Sequence, residues 1–116
     1  MKLLVFAAMA AAALVPQAAA PAPARLGVSA REFHLVLSRA SVKAGVVVIQ
    51  LQNDGQDVHD LRVRRIGGVH LFRFPMTDPG NDSELAIRMR PGRYSLWCSV
   101  ADHAQLGMRA TLRVRR

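Results

Sequence analysis

The sequence predicts an all-β domain, an antiparallel Greek-key β-sandwich or barrel of about 6–8 strands. Three observations predict it. Apolar and polar residues alternate over short runs, turn-forming residues separate these runs, and no segment after residue 25 has the period of an amphipathic helix. Alternation with period two places every second side chain on the same face of a strand, and that face can pack into a core.

Six alternating runs follow one another along the chain. Their inward positions are Phe33, Leu35 and Leu37, then Val47, Ile49 and Leu51, then Leu61 and Val63, then Leu85 and Ile87, then Tyr94 and Leu96, then Ala110, Leu112 and Val114. Glycine, proline, asparagine or aspartate marks most of the turns between them, at 43–45, 53–55, 66–68, 78–81 and 90–92. The long irregular stretch 67–82 is expected to pack across one sheet edge. A chain of 116 residues has room for one such domain.

The first residues predict a signal peptide. Lys2 is a short positive region, Leu3–Val15 is an uncharged run of 13 residues, and an Ala-x-Ala cleavage motif ends at Ala24. As a helix this run reaches about 20 Å, less than the roughly 30 Å of a bilayer core. An uncleaved membrane anchor is the alternative.

We therefore expect residues 1–24 to be removed by cleavage at about 20–24, which leaves a domain over 25–116. We expect this domain to have no membrane span after cleavage and to be periplasmic or secreted. Its formal charge is +7, because 15 Lys and Arg remain against 8 Asp and Glu. The single cysteine, Cys98, cannot form an internal disulfide or a Cys-x-x-Cys motif. A lone thiol in an oxidising compartment is open to oxidation unless it is buried or coordinated.

Four side chains form a candidate metal site: His59, Cys98, His103 and Met108. The last three follow a C-x4-H-x4-M spacing where one strand ends and the next begins, and His59 lies 39 residues before Cys98, at the start of another strand. His59, Cys98 and Met108 share the parity of the inward residues of their strands, so they are expected to point inward. His103 lies in a loop, where parity gives no direction. One thiolate, two imidazoles and a weak axial thioether are the donor set of a blue-copper site.

Two segments also resemble a known family. NDGQDVHDLRV (Asn53–Val63) and PGRYSLWCSVADHAQLGMRATLRV (Pro91–Val114) are similar to the cupredoxins, the small type 1 blue-copper proteins such as plastocyanin and azurin. The resemblance covers most of Arg31–Val114. It implies a cupredoxin-like sandwich that holds one copper ion and carries single electrons between redox protein partners, without being an enzyme.

The resemblance also implies a role for each residue. His59 and His103 would bind copper through imidazole nitrogen, Cys98 through its thiolate, and Met108 as the long axial ligand. The family often has asparagine after the first histidine, and this chain has Asp60. A carboxylate can accept a hydrogen bond from Ser99 but cannot donate one, which leaves the reduction potential open.

The other candidate residues have simpler interpretations. Parity places His34 and Trp97 outward. His70 lies in the long irregular stretch, from which it could approach the site. Met76 and Met89 would suit a methionine-rich copper carrier, but they are isolated. Each of these residues, and each of the four candidate ligands taken singly, is also compatible with ordinary core or surface packing.

Two copies of Arg-Val-Arg-Arg, at 62–65 and 113–116, place arginines on outward strand positions. Nucleic-acid binding is disfavoured by export and by the shortage of exposed aromatic residues. The arginines are either a solvated face that protects strand edges, or a surface that steers the protein toward an acidic redox partner or an anionic membrane.

Two functions from different classes follow from the site. The first is a single-electron carrier. The alternative is a periplasmic copper-binding or copper-delivery protein of the same fold. A substrate-converting copper enzyme would need an open coordination position or further histidines, and only His34 and His70 remain.

Overall fold

The structure is a computed structural model that describes residues 1–116. Nine strands and one short helix follow in chain order: β1 (Ala24–Arg31), β2 (His34–Leu37), β3 (Ser41–Lys43), β4 (Gly45–Asn53), β5 (Arg62–Arg65), β6 (Leu71–Arg73), β7 (Asp82–Met89), β8 (Gly92–Trp97), α1 (His103–Leu106) and β9 (Arg109–Arg115). Residues 1–23 form no helix or strand and are exposed. The chain contains no helix with the length and apolar character needed to cross a membrane.

The strands form two sheets with one core between them. The first sheet has the order β2-β1-β4-β7, and the second has the order β3-β9-β8-β5-β6. The chain crosses from the first sheet to the second at β3, returns at β4, crosses again at β5, returns at β7 and ends in the second sheet with β8 and β9. Most neighbouring strands are antiparallel, but β1 pairs with β4, and β3 with β9, in parallel.

Alternation along the strands builds the core. In β4, Val47, Ile49 and Leu51 are fully buried, whereas Gln50 between them is exposed. Nineteen buried apolar residues from both sheets form a single cluster. Each fully buried aliphatic side chain stabilises the fold by roughly 1.5–3 kcal/mol relative to an exposed one.

The predicted all-β sandwich is confirmed, but the number of strands and some strand directions differ from the prediction. Nine strands form rather than about 6–8, because β3 and β6 have only three residues each and show no clear alternation in the sequence. Two strand pairs are parallel rather than antiparallel, because period-two alternation arises in both directions and does not report strand direction. The stretch 67–82 contains β6, which forms one edge of the five-stranded sheet.

Three loops meet at one end of the sandwich: the β1–β2 turn, the β4–β5 loop and the β8–β9 loop. His59 lies in the second loop, three residues before β5 rather than at a strand start, and exchanges two backbone hydrogen bonds with Thr77. In the third loop, the N–H of Cys98 donates to the carbonyl of Met108 at 3.0 Å. Backbone pairing thus continues past the strand ends and fixes the loops.

Gly107, which follows α1 in the β8–β9 loop, packs closely against the β1–β2 turn. Its φ is 127°, a conformation that L side chains rarely adopt, and a Cβ atom there would lie 2.7 Å from the carbonyl oxygen of Phe33. Gly80 also has a positive φ, of 80°, but a Cβ atom there would meet nothing within 4 Å. A Cβ atom would strain the backbone at both glycines, but it would collide with a neighbouring atom only at Gly107. Comparing the two positions therefore distinguishes the cost of strain from the cost of the collision.

We expect Gly107→Ala to lower the free energy of unfolding by about 2–4 kcal/mol and Gly80→Ala by about 1–2 kcal/mol. The left-handed conformation costs roughly 1–2 kcal/mol for a residue with a Cβ atom, and only Gly107→Ala adds a collision with backbone. Chemical denaturation of the metal-free protein measures both losses. Equal losses would contradict tight packing of this loop on Phe33.

Candidate metal centre

The side chains of His59, Cys98 and His103 come together at the end of the sandwich where the three loops meet. One ligand atom from each lies within 4.8 Å of the others, and no other group of three or more His, Cys, Asp or Glu side chains has this arrangement. His59 and Cys98 are fully buried, and His103 is 6% exposed. Three polar side chains removed from water in one place need partners, since an unsatisfied buried polar group is costly.

The distances between these atoms fit a single metal ion. The Cys98 sulfur lies 3.9 Å from Nδ1 of His59 and 3.7 Å from Nδ1 of His103. Metal–sulfur and metal–nitrogen bonds of roughly 2.3 and 2.1 Å, set at trigonal angles, would separate sulfur from nitrogen by about 3.8 Å. The cluster is therefore compatible with a type 1 copper site.

To bind a metal ion, the buried Cys98 thiol would have to lose its proton. Burial raises the pKa of the Cys98 thiol above its usual value, and hydrogen bonds from the backbone N–H groups of Asp60 and Val100 oppose this shift. The buried thiol therefore keeps its proton unless a positive charge takes the proton's place. A metal ion provides that charge, because a coordinating thiol is deprotonated.

Met108, the predicted axial ligand, is fully buried one residue before β9. Its N–H donates to the carbonyl of His103 at 3.0 Å, and its carbonyl accepts the N–H of Cys98. The backbone thus ties Met108 to two of the three clustered residues. Ligation by its thioether stays a prediction.

The buried side chain of Asp60 links the β4–β5 loop, which carries His59, to the β8–β9 loop, which carries Cys98 and His103. Its buried carboxylate accepts hydrogen bonds from the N–H of Ser99, at 2.6 Å, and from the Ser99 hydroxyl. Arg62 lies 3.4 Å from the same carboxylate. The predicted bond from Ser99 is confirmed, and it holds the residue after His59 to the residue after Cys98.

Asn53 also shapes the site, and the sequence analysis did not identify it. Its side-chain amide donates to the carbonyls of Asp57 and Thr77, each at 2.8 Å, and its side-chain oxygen accepts the N–H of Gly55. The available signal was its parity with Leu51, because a polar residue at a buried strand position requires such partners.

Glu32, in the β1–β2 turn, is a second residue that the sequence analysis missed. Its Oε1 accepts hydrogen bonds from the backbone N–H groups of Gln56 and Asp57 and lies 2.8 Å from Nε2 of His59. The N–H of Asp57 is the main cause that lowers the pKa of Glu32 to about 2, so this side chain is a carboxylate at neutral pH. Nothing in the sequence pointed to Glu32, which lies 27 residues before His59 and belongs to no motif.

The remaining histidines and methionines lie outside the cluster. His34 is exposed, as its parity predicts. His70 packs against Phe72, with ring centroids 4.5 Å apart, and does not approach the site. Met76 is exposed, and Met89 is buried at the end of β7.

No model of a known protein family and no curated protein matches the chain. Many solved structures are similar to it, among them the following three. Auracyanin A, a "blue" copper protein from Chloroflexus aurantiacus, is 14% identical with a TM-score of 0.63, and the match covers 81% of this chain and 100% of that one. A purple cupredoxin from Nitrosopumilus maritimus is 17% identical with a TM-score of 0.56, over 77% and 98% of the two chains. A multicopper oxidase is 15% identical with a TM-score of 0.62, over 83% of this chain and 45% of the oxidase.

At these identities the comparisons show the fold. The chain has the cupredoxin fold, which confirms what the resemblance in the sequence implied about architecture. Because the fold also occurs in an oxidase, the function has to be argued from the residues of the site.

We expect Asp60→Ala to lower the free energy of unfolding of the metal-free protein by about 1–3 kcal/mol, because the N–H and hydroxyl of Ser99 lose their hydrogen bonds to the buried carboxylate. Asp60→Asn should cost less, since an amide oxygen can still accept this bond. Chemical denaturation measures both variants, and Asp78→Ala, at an exposed turn position, is the control. If Asp60→Ala lost no more than this control, Asp60 would not brace the loops.

Proposed function

We propose that this chain is an exported type 1 copper protein that carries single electrons between redox partners. In this proposal His59 and His103 bind copper through Nδ1, Cys98 binds through its thiolate, and Met108 is a weak axial ligand. The observation that supports it most strongly is the approach of two imidazole nitrogens to one buried sulfur, at 3.7 and 3.9 Å.

The donor set suits one-electron transfer. Sulfur ligands favour Cu(I) and imidazoles suit Cu(II), so a copper ion held by both can change its charge by one with little rearrangement. The protein contributes by keeping its side chains in place. The bonds between Asp60 and Ser99 and the backbone bonds of Met108 restrain the two loops that carry the ligands.

Burial of the site favours electron transfer over substrate conversion. His59, Cys98 and Met108 have no exposed surface, whereas a catalytic metal site keeps a position open to substrate. His34 and His70 lie elsewhere and do not extend the site.

His103 offers a route for the electron to the surface. It is the one clustered residue with exposed surface, and its ring lies 5.2 Å from that of Phe33. Phe33 and Leu106, at the end of α1, are both partly exposed. An apolar surface around His103 would allow a partner to make close contact from which water is excluded.

Export is supported by the leader-like residues 1–24. Cleavage after Ala24 would leave seven of the eight residues of β1, so the pairing of Arg25–Ala30 with β4 would be retained. A periplasmic or secreted copper protein would thus keep its complete domain after processing.

The outer face of the five-stranded sheet, here called the basic face, supports an acidic redox partner. Its exposed outward cations are Lys43, Arg64, Arg73, Arg93, Arg109, Arg113 and Arg115, whereas Arg62 is paired with Asp60. The five strands contain no Asp or Glu. Trp97, the residue before Cys98, also lies on this face, with the Arg64 guanidinium 5.4 Å from the centre of its ring.

Cations oppose one another directly across the basic face. Arg93 pairs with Arg113, and Lys43 pairs with Arg115. Like charges in directly opposed positions destabilise a sheet. Their presence favours a function outside folding, and attraction of an acidic protein surface is the function that fits a redox carrier.

We expect Cu(II) to give the wild-type protein the strong visible absorption of thiolate-to-copper charge transfer, and we expect Cys98→Ser to lose it. Met108→Leu should keep the colour and shift the reduction potential, because the axial thioether is a weak ligand. Titration with copper followed by absorption spectroscopy measures both effects. A colourless wild-type protein would contradict the blue-copper proposal, and loss of copper from Met108→Leu would contradict the axial role.

The same loaded protein distinguishes the carrier from a copper-delivery protein. A carrier should cycle rapidly between its oxidised and reduced forms with a small redox mediator and keep its copper throughout. Copper that is passed readily to a competing chelator but reduced only slowly would favour delivery.

We expect charge reversal on the basic face to slow oxidation of the reduced protein by an anionic mediator such as ferricyanide. Arg93→Glu/Arg113→Glu should slow it several-fold at low salt, with the difference vanishing at high salt. Arg25→Glu/Arg88→Glu, on the four-stranded sheet, has the same net charge and is the control. Stopped-flow kinetics measures the rates. Equal slowing in both variants would mean that net charge, and not the basic face, attracts the mediator.

A further inference from the structure

The carboxylate of Glu32 contacts the edge of the His59 ring that points away from the metal cluster. Its Oε1 lies 2.8 Å from Nε2 of His59, while Nδ1 of the same ring lies 3.9 Å from the Cys98 sulfur. A carboxylate can only accept hydrogen bonds, so Nε2 of His59 must carry the hydrogen. In the neutral ring, Nδ1 is then the nitrogen with a free lone pair, and it is the nitrogen that faces Cys98.

The loop that carries His59 holds this carboxylate in place. The N–H groups of Gln56 and Asp57 donate to the same Oε1, at 2.9 and 2.8 Å. A Cβ atom at Gly55 would lie 2.5 Å from Oε1, so a side chain at this position would displace the Glu32 carboxylate. Two backbone hydrogen bonds from the loop thus hold the Glu32 carboxylate against Nε2 of His59.

We propose that Glu32 is a positioning residue that fixes the tautomer and orientation of His59 and, through this hydrogen bond, lowers the reduction potential of the copper site. A negative charge bonded to the distal nitrogen makes the imidazole a stronger donor. It therefore stabilises Cu(II) over Cu(I). The part about the potential rests on the proposed function, whereas the part about the tautomer concerns the metal-free protein.

Asp57 provides an internal control. Its carboxylate lies 3.8 Å from Nε2 of His103, too far for a hydrogen bond, and its side chain is 54% exposed. Asp57→Asn and Glu32→Gln therefore remove the same charge beside the two imidazoles. Only the second variant removes a charge that is hydrogen-bonded to one of them.

Nitrogen NMR of the histidine side chains tests the tautomer in the metal-free protein. We expect wild-type His59 to be in the Nε2–H form, and we expect a mixture of forms in Glu32→Ala. Glu32→Gln should keep the Nε2–H form, because its amide oxygen can still accept the bond and its length retains the contacts with the loop. A mixed tautomer in the wild type, or a pure Nε2–H form in a folded Glu32→Ala, would overturn the positioning role.

Voltammetry of the copper-loaded protein tests the electronic effect. Glu32→Gln should raise the reduction potential by more than Asp57→Asn does. Equal potentials in these two variants, or no rise in Glu32→Gln, would overturn the effect on potential. A wild-type protein that develops no charge-transfer colour would refute the proposed function, and the NMR result would still decide whether Glu32 positions His59.

Discussion

Burial of one thiol and two imidazoles in mutual contact is the constraint on which the rest of the site depends. Polar groups that leave water must find partners, and here they find them in one another and in the loops around them. Glu32 bonds His59, and the backbone of Met108 bonds both His103 and Cys98. Because each loop begins or ends at a strand of the sandwich, the sheets fix where these partners meet. The site is thus a consequence of how three strand ends are joined.

The five-stranded sheet contributes to the core, to the candidate metal site and to the charged surface. Inward side chains of β5, β8 and β9 pack into the core, where Val63, Leu96 and Leu112 are fully buried. The loops at one end of these strands carry the candidate ligands. The outward side chains form the basic face. Period-two alternation keeps these tasks apart, so charges can accumulate outside without disturbing the core or the cluster inside.

Much of this arrangement could be predicted from the sequence, because it depends on local patterns. Parity alone predicted that His59, Cys98 and Met108 point toward the interior, and all three are buried. The direction of His103 could not be predicted, because it depends on α1, a helix of four residues. Glu32 could not be found because its partner is distant in sequence. Neither the strand directions nor the short strands β3 and β6 could be predicted, because alternation does not encode them.

The central claim is that one thiolate and two imidazoles bind a single copper ion, and X-ray absorption of the copper-loaded protein tests it most directly. The account predicts one short copper–sulfur distance and two copper–nitrogen distances, and it predicts that the short sulfur distance is absent in Cys98→Ser. Copper surrounded only by nitrogen and oxygen in the wild-type protein would contradict it.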